Sequence, residues 1–446
     1  MVLKKTQEVK TEYFIRGERL KNEGKLEEAC AEYRRDIEKK PNTAAYDALG
    51  GILTKQGEVD EAISCYQEAL KIKPASHQIY IKLGYLLIIN CSLDEALTCY
   101  LKAIELKPNL WQAHSMLRRV RWNLSQTEQI IIGLKKVAQL HPDSIFPYVS
   151  LGYILPLQGK INEAVIYIQN ASNENVIKSK PNIVQDKGKL LGSRKPDFIV
   201  IGSAKSGTTS LYQYLIQHPQ ILPAITKEIG FFDTKRYSNG IDWYLSHFPQ
   251  LTDGKKKLTG EATPSYLHRY GVPEKLFELL PHAKLIVILR NPVERTISAY
   301  HHSKKDNAEL RSLIEVIDSE ITLVKGVSDP SEVMNPSHRR KVNYRFEPRY
   351  LVWSLYYYFL KKWINIFPRE QFLILNSNDF YAKTPEVMDK VFDFLGLPNN
   401  QLAEYPIYTA GNYASIDNEL TTKLSNFFQP HNQKLEEYLG IKFNWD

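Results

Sequence analysis

Gly202-Ser-Ala-Lys205-Ser-Gly207-Thr-Thr-Ser-Leu211 is the stretch on which the reading of this chain turns. It follows a short apolar run, Phe198-Ile-Val-Ile201, and opens a helical stretch that ends near His218-Pro219. A strand, a glycine-bearing loop and a helix N-terminus together make an anion cradle. Backbone N–H groups and the positive end of the helix dipole point at the bound oxygens. The Gly202…Gly207 spacing is that of a P-loop, but the lysine is misplaced for an NTPase. That pattern ends in Gly-Lys-[Ser/Thr], whereas here Thr208 follows Gly207 and the loop's lysine is Lys205. A hydroxyl in that place argues for a phosphate donor other than ATP.

A second strand sharpens the point. Lys284-Leu-Ile-Val-Ile-Leu289 reads as a buried strand from its continuous apolar content, and Arg290-Asn-Pro-Val-Glu-Arg-Thr-Ile-Ser298 follows it. An NTPase places a magnesium-organising Asp near the end of such a strand. This chain places an arginine, whose planar fork suits a bidentate phosphate contact. Pro292 starts the next helix, with Ser298 one to two turns in. The pattern predicts a second, metal-free phosphate site beside the first loop, as a nucleotide with an anion at each end of its ribose would need.

These segments resemble the PAPS-dependent sulfotransferases, of the heparan-sulfate type rather than the small-phenol type. The resemblance also rests on Lys227-Glu228-Ile-Gly-Phe-Phe-Asp233, Gly240-Ile-Asp-Trp-Tyr244, Tyr300-His-His302, Phe367-Pro-Arg-Glu-Gln-Phe-Leu-Ile-Leu375, Phe394-Leu-Gly-Leu-Pro398 and the run from Phe427 to Trp445. It covers roughly residues 195–446. It implies a P-loop-like three-layer α/β domain with a parallel central sheet. The implied activity is sulfuryl transfer from 3′-phosphoadenosine-5′-phosphosulfate (PAPS) to a hydroxyl or amine of an acceptor, with no metal.

The resemblance also assigns roles. An in-line displacement needs a base for the acceptor proton, a cation near the leaving oxygen and a rigidly held donor. Glu228 is the implied base and Lys205 the leaving-group cation. Lys205, Ser206, Gly207, Thr208, Thr209 and Ser210 hold one end of the donor, and Arg290 and Ser298 hold its 3′-phosphate. His302, one helical turn beyond Ser298 on the same face, matches a histidine of the N-sulfotransferase branch and is the auxiliary acid or base. The aromatics Phe231 and Phe232 predict that Glu228 is partly buried; the rival reading is a surface ion pair with Lys227. Asp242-Trp243-Tyr244 is read as support for the acceptor cleft.

Two departures stand out. Animal members carry Glu-Lys-[Ser/Thr] where this chain has Glu261-Ala262-Thr263-Pro264, so the lysine's place near the sulfate falls to Lys227 or Arg269. The basic Lys-x-Lys-Gly-Arg cluster of a late nucleotide-binding loop is replaced by Thr409-Ala-Gly-Asn-Tyr-Ala-Ser415, leaving Asn412 and backbone groups.

The N-terminal third is a different object. A repeat runs at 33–34 residues, the tetratricopeptide length. Pro41, Pro74, Pro108 and Pro142 end helices at that interval; Gly17, Gly50, Gly84 and Gly152 mark the small position of each first helix, and Ala29, Ala62, Ala96 and Ala164 that of each second. Small residues there let paired helices approach, and stacked pairs bury a continuous core. The expected units are 10–42, 43–75, 76–109, 110–143 and 144–176. The fourth is degenerate: Arg118 stands for glycine and Ile130 for alanine. A charged side chain cannot be buried unpaired at a close contact, so that unit packs loosely, shifts register or turns Arg118 outward. The expected architecture is an α-solenoid over 10–176, a linker at 177–195 and the α/β domain at 196–446. The solenoid is read as recruiting a protein or peptide partner, with a stabilising scaffold as the rival.

Global properties fit this division. A net charge of +8 is spread over both parts without a basic stripe, which excludes nucleic acid as the expected partner. Cys30, Cys65, Cys91 and Cys99 all lie in the repeats, none with CxxC zinc spacing; Cys65 and Cys99 are predicted to be buried. The N-terminus lacks an apolar h-region, and the run at Tyr85-Leu-Leu-Ile-Ile89 is too short to span a bilayer. No membrane span and a cytoplasmic setting are therefore expected. The acceptor is a saccharide, lipid or other metabolite. A catalytically weak adaptor that keeps the fold is the alternative, and a nucleotide kinase is disfavoured by the misplaced lysine.

Overall fold

A tyrosine ring lies against each of three repeat glycines. A Cβ on Gly17 would come within 2.7 Å of the Tyr33 ring, and one on Gly50 or Gly84 within 3.0 Å of Tyr66 or Tyr100. The close approach read from small residues is thus filled from the second helix of the same pair, four residues after its packing alanine. A computed structural model describes residues 11–181, 190–251, 257–305, 309, 311–337, 349–408 and 417–445. By internal contacts the chain divides into two units, 1–171 and 172–446.

In the first unit the helices pair as Glu12–Asn22 with Leu26–Lys39, Thr43–Gln56 with Val59–Ile72, and His77–Ile89 with Leu93–Leu106. Trp111–Arg119 and Leu124–Leu140 follow, then Ile145–Ile154 and Ile161–Ser179. Ala29, Ala62, Ala96 and Ala164 are fully buried, as are Tyr33 and Tyr100. The turn between paired helices takes a left-handed residue: Gly24, Gly57 and Gly159, but Cys91 in the third pair, at φ 59°. Cys65 and Cys99 are buried, and burial pushes their thiols up to about 11 and 12.

The degenerate fourth unit resolves the conflict at Arg118 by turning it partly outward. Its first helix stops after nine residues. Leu117 is the fully buried residue, while the Arg118 guanidinium lies 5.1 Å from the centre of the Tyr153 ring, a cation–π contact. Ile130 is fully buried in place of the small alanine.

The second unit is built on five parallel strands in the order β3-β5-β2-β6-β7, where β2 is Phe198–Gly202, β3 Ile221–Pro223, β5 Leu258–Ala262, β6 Lys284–Leu289 and β7 Phe372–Asn376. A separate antiparallel pair joins β1 (Leu190–Ser193) to β4 (Pro249–Leu251). Where the sequence suggests a linker at 177–195, residues up to Ser179 are helical and 190–193 are paired; 182–189 lie outside the described residues. All five residues of β2 are buried, as are five of the six in β6, which is why both read as unbroken apolar runs. From the central β2 the chain crosses to the edge strand β3, comes back to lay β5 between the two, and then builds β6 and β7 on the other side of β2. The loop after β2 therefore opens at the switch point, where open α/β sheets form their ligand crevice.

His114 gives the repeat unit a pH-sensitive joint. It is fully buried, with Nε2 2.8 Å from the Pro108 carbonyl and Nδ1 2.8 Å from Ser150 Oγ. A carbonyl can only accept, so Nε2 carries the proton and Nδ1 accepts from Ser150. Burial pulls the imidazole down to about 4, against about 6.5 in the unfolded chain. The unfolded state therefore binds more protons between these values, and stability is complete above the upper one and falls with pH below it. This imidazole alone should cost the fold on the order of 2 kcal/mol between pH 7 and pH 5, and His114→Gln should reduce the wild-type loss by about that amount, as read from urea unfolding of the full chain followed by helical circular dichroism.

Candidate active site

The loop after β2 meets the helix Thr208–Gln217 at Gly207, whose φ of 108° a side chain rarely adopts. A Cβ there would also lie 2.8 Å from the Tyr381 hydroxyl. No side chain caps this helix, so its first N–H groups face the opening with the dipole behind them. Ser206 Oγ is buried with no hydrogen bond of good geometry among the described residues. These are the donors an oxyanion would satisfy.

A cleft of about 560 Å³ opens here, a size common for small-ligand sites. Lys205, Ser206, Gly207, Thr208 and Thr209 line one wall. The opposite wall comes from β6 and the helix Pro292–Lys305. Asn291 Oδ1 accepts the Val293 N–H at 2.9 Å and starts that helix. Arg290, Glu294, Ser298 and His302 then recur every fourth residue along one lining face. Glu228 also lines the cleft. Ser210 does not: it is fully buried, and its hydroxyl accepts the Tyr408 N–H at 3.3 Å.

Glu228 departs from its expected environment. Phe231 and Phe232 pack inward with Tyr244, leaving the Glu228 side chain 58% exposed. The surface ion pair is present, with Lys227 Nζ 2.8 Å from Glu228 Oε1. The same ammonium donates to Thr209 Oγ1 at 2.8 Å and so spans from the phosphate loop to Glu228. Of the two basic residues expected to stand in for the missing lysine, Lys227 does not itself line the cleft, but its ammonium touches Thr209 and Glu228, which do. Arg269 lies over the Trp353 ring and lines a separate small depression. Trp243 and Tyr244 are completely buried and stand behind the cleft rather than lining it. The 409–415 loop, with Asn412, lies outside the described residues. Among the described residues no cluster of three His, Cys, Asp or Glu side chains could hold a metal ion.

Several site residues escaped the sequence reading. Glu294 pairs with Arg290 at 2.9 Å, an i,i+4 contact the sequence displays openly. Ser265, Asn378 and Tyr381 complete the lining from loops and a short helix distant in sequence. Arg295 is 1% exposed; its Nε donates to the Ala204 carbonyl in the phosphate loop at 3.1 Å, and Nη1 donates to the Tyr350 carbonyl at 2.5 Å. Burial pulls its guanidinium down to about 10, so it remains charged at neutral pH. Beneath the loop, Ser203 Oγ meets His268 Nε2 at 3.1 Å. Burial holds that imidazole well below its ordinary range, with Arg295 and Arg269 adding to the effect.

The family profile described as sulfotransferase domain matches residues 195–434. The chain belongs to the sulfotransferase family. Tetratricopeptide-repeat profiles match residues 50–88 and 77–110. The membrane-associated sulfotransferase kil1 of Dictyostelium discoideum is 32% identical over 60% of this chain and 70% of its own length. The human bifunctional heparan sulfate N-deacetylase/N-sulfotransferase 3 is 31% identical, and only 30% of its length is covered. The mouse heparan sulfate glucosamine 3-O-sulfotransferase 5 is 28% identical over 56% of this chain and 74% of its own length. No helix among the described residues of this sulfotransferase-family chain is long and apolar enough to cross a membrane.

Arg295 replaced by lysine keeps the charge but offers a single point donor for carbonyls that the fork now reaches together. Arg295→Lys should cost about 3 kcal/mol in the unfolding of the sulfotransferase domain. Urea denaturation followed by tryptophan fluorescence checks this.

Proposed function

We propose that this sulfotransferase-family protein transfers a sulfuryl group from PAPS to a hydroxyl or amine of an acceptor. The observation that carries the reading is a single cleft shared by the uncapped helix start after Gly207, the Arg290–Ser298 face and Glu228. Two anion-seeking walls face one opening, as a nucleotide phosphorylated at two positions requires. Ser206 Oγ and the N–H groups from Gly207 to Thr209 suit the sulfate-bearing 5′ end. Arg290 and Ser298 suit the 3′-phosphate, the Arg290 fork exchanging Glu294 for a stronger phosphate contact.

In this mechanism the acceptor heteroatom attacks sulfur while Glu228 takes the acceptor's proton. The bond from sulfur to the bridging 5′-phosphate oxygen breaks, and the electron pair leaves on that oxygen, where Lys205 stabilises the charge. The products are the sulfated acceptor and 3′-phosphoadenosine-5′-phosphate. Lys227 supplies a second ammonium between Thr209 and Glu228. Exposure of Glu228 fits a base that meets a bulky acceptor at the mouth of the cleft, and His302 is the auxiliary acid or base. The relatives whose names specify heparan sulfate favour a saccharide acceptor, with hydroxylated lipids and metabolites in the same chemical class. The repeats recruit a protein or peptide partner, whose contacts raise the acceptor's local concentration.

Calorimetric titration of 3′-phosphoadenosine-5′-phosphate without magnesium tests the donor site. Wild type should bind, and Arg290→Ala should weaken binding by about 10- to 100-fold, the worth of a charge-assisted contact. Absence of binding at millimolar ligand would favour the repeat-based adaptor, and binding that needs magnesium would favour a kinase. With an acceptor that wild type sulfates, Glu228→Gln should leave donor affinity in place and lower kcat by about 10²- to 10⁴-fold, measured by transfer of radiolabelled sulfate.

A further inference from the structure

Behind the exposed Glu228 lies a second carboxylate that sulfuryl transfer does not use. Glu261 in β5 is fully buried, and four donors converge on it. They are the hydroxyls of Thr263 at 2.5 Å, Tyr244 at 2.8 Å and Tyr266 at 3.1 Å, and the Ile229 N–H at 3.3 Å. A carboxylate offers about four lone-pair sites, so this one is filled by donors alone. Two of the hydroxyls accept in turn from the same stretch of backbone. The Gly230 N–H reaches Thr263 Oγ1 at 3.3 Å, and the Phe231 N–H reaches the Tyr266 hydroxyl oxygen at 2.9 Å. On the other side of Glu228, the Lys227 carbonyl accepts the Ala262 N–H at 3.0 Å.

Three consecutive N–H groups immediately after Glu228 therefore end on Glu261 or on hydroxyls that Glu261 orients. This stretch belongs to no strand or helix, so its donors depend on side chains. We propose that Glu261 is the positioning residue of the catalytic segment, fixing residues 229–231 so that Glu228 stands at one place on the cleft wall. The proposal rests on the reading of Glu228 as the base. A side chain as exposed as Glu228 has little packing to hold it, and a base displaced by about 1 Å loses much of its effect. The backbone must do the holding, and the carboxylate beneath it is the common acceptor. A hydroxyl donates one proton; the ionised Glu261 carboxylate accepts it from both, and the Thr263 and Tyr266 oxygens are left facing the backbone as acceptors. Glu261 thus sets the direction of the whole relay.

Hydrogen–deuterium exchange of the full chain, corrected for intrinsic rates, tests this. Glu261→Leu should speed exchange of the 229–231 amides at least tenfold while β6 exchanges as in wild type. Glu261→Gln, which keeps one acceptor oxygen, should recover part of the protection. Thr263→Val should expose the Gly230 amide, and Thr263→Ser should restore it; Tyr266→Phe should do the same for Phe231 alone. Unchanged exchange at 229–231 overturns the proposal, and so does loosening that spreads equally into β6, which would make Glu261 a general stabiliser. If Glu261→Leu does not fold, the Thr263 and Tyr266 variants decide. In transfer assays Glu261→Gln should lower kcat at least tenfold with the donor KM within twofold; a KM effect alone would also overturn it. Exchange requires neither donor nor acceptor, so failure of donor binding removes the role of Glu228 without touching the anchoring result.

Discussion

A guanidinium buried behind the phosphate loop is the constraint on which this site depends. Arg295 spends its fork on main-chain oxygens: Ala204 in the loop after β2, and Tyr350 with Arg349 at the start of the segment that leads to the C-terminal elements. The Arg349 and Tyr350 N–H groups, with that of Val352, end on the buried carboxylate of Glu320. One cation and one anion, both out of water, therefore pull the same turn from its two polar sides. The helix of Arg295 also carries Arg290's neighbour Glu294 and the lining residues Ser298 and His302. A shift of the loop would thus be a shift of the opposite wall as well, and the distance between the two anion-seeking surfaces is set by side chains that touch neither anion.

The second buried centre, Glu261, has a different thermodynamic character. Burial pushes its carboxyl up to about 7 despite four donors. A carboxyl whose folded pKa lies above its unfolded value stabilises the fold while it is protonated, and that contribution is lost as pH rises through the folded value. Charge on Glu261 at alkaline pH is therefore held against stability. A carboxyl buried at such a cost is weak evidence of cohesion; what this one does in the structure is accept from the Ile229 N–H and from the hydroxyls that hold the Gly230 and Phe231 N–H groups. Under the proposed reading the two centres divide the labour: Arg295 ties down the wall assigned to the donor, and Glu261 ties down the wall assigned to the acceptor.

Legibility in the sequence followed contact range. The phosphate loop, the strand that ends in Arg290 and the repeat period were all readable, because each is a local pattern with its own physical reason. The i,i+4 series Arg290, Glu294, Ser298 and His302 was local too, and Glu294 went unread only because anion sites draw attention to cations. Arg295 could not be found this way: five residues after Arg290, it differs in facing backbone carbonyls supplied some 55 residues later. Ser265 enters the cleft from a turn and Tyr381 from the short helix Ser377–Ala382; the position of each follows from the sheet order, which no local pattern encodes. In the repeats the alanines and glycines were legible, but the tyrosines that fill against Gly17, Gly50 and Gly84 were hidden by being four residues from the alanines already assigned. Glu228 is more exposed than its aromatic neighbours suggest, because neighbouring residues here do not share one environment. In an irregular segment adjacent side chains can point to opposite sides, and Phe231 and Phe232 took the inside.

At position 262 an alanine stands where the resemblance places a lysine, and its backbone keeps a contact at the site. Ala262 is fully buried at the end of β5, between Glu261 and Thr263. Its backbone still performs a site function, since its N–H holds the Lys227 carbonyl. Lys227 in turn carries an ammonium to Thr209 on the phosphate loop and to Glu228. A cation is therefore retained at the junction of the two walls, reached from the neighbouring segment rather than from the strand. Electrostatic stabilisation depends on where the charge stands when the transition state forms, not on which residue supplies it. The Glu261 network fixes the backbone on one side of Glu228 and the Ala262 N–H fixes it on the other, so the Lys227–Glu228 pair is held as a unit. On the proposed reading of the site, an alanine at 262 removes a side chain while the Ala262 N–H contact and the Lys227–Glu228 pair remain.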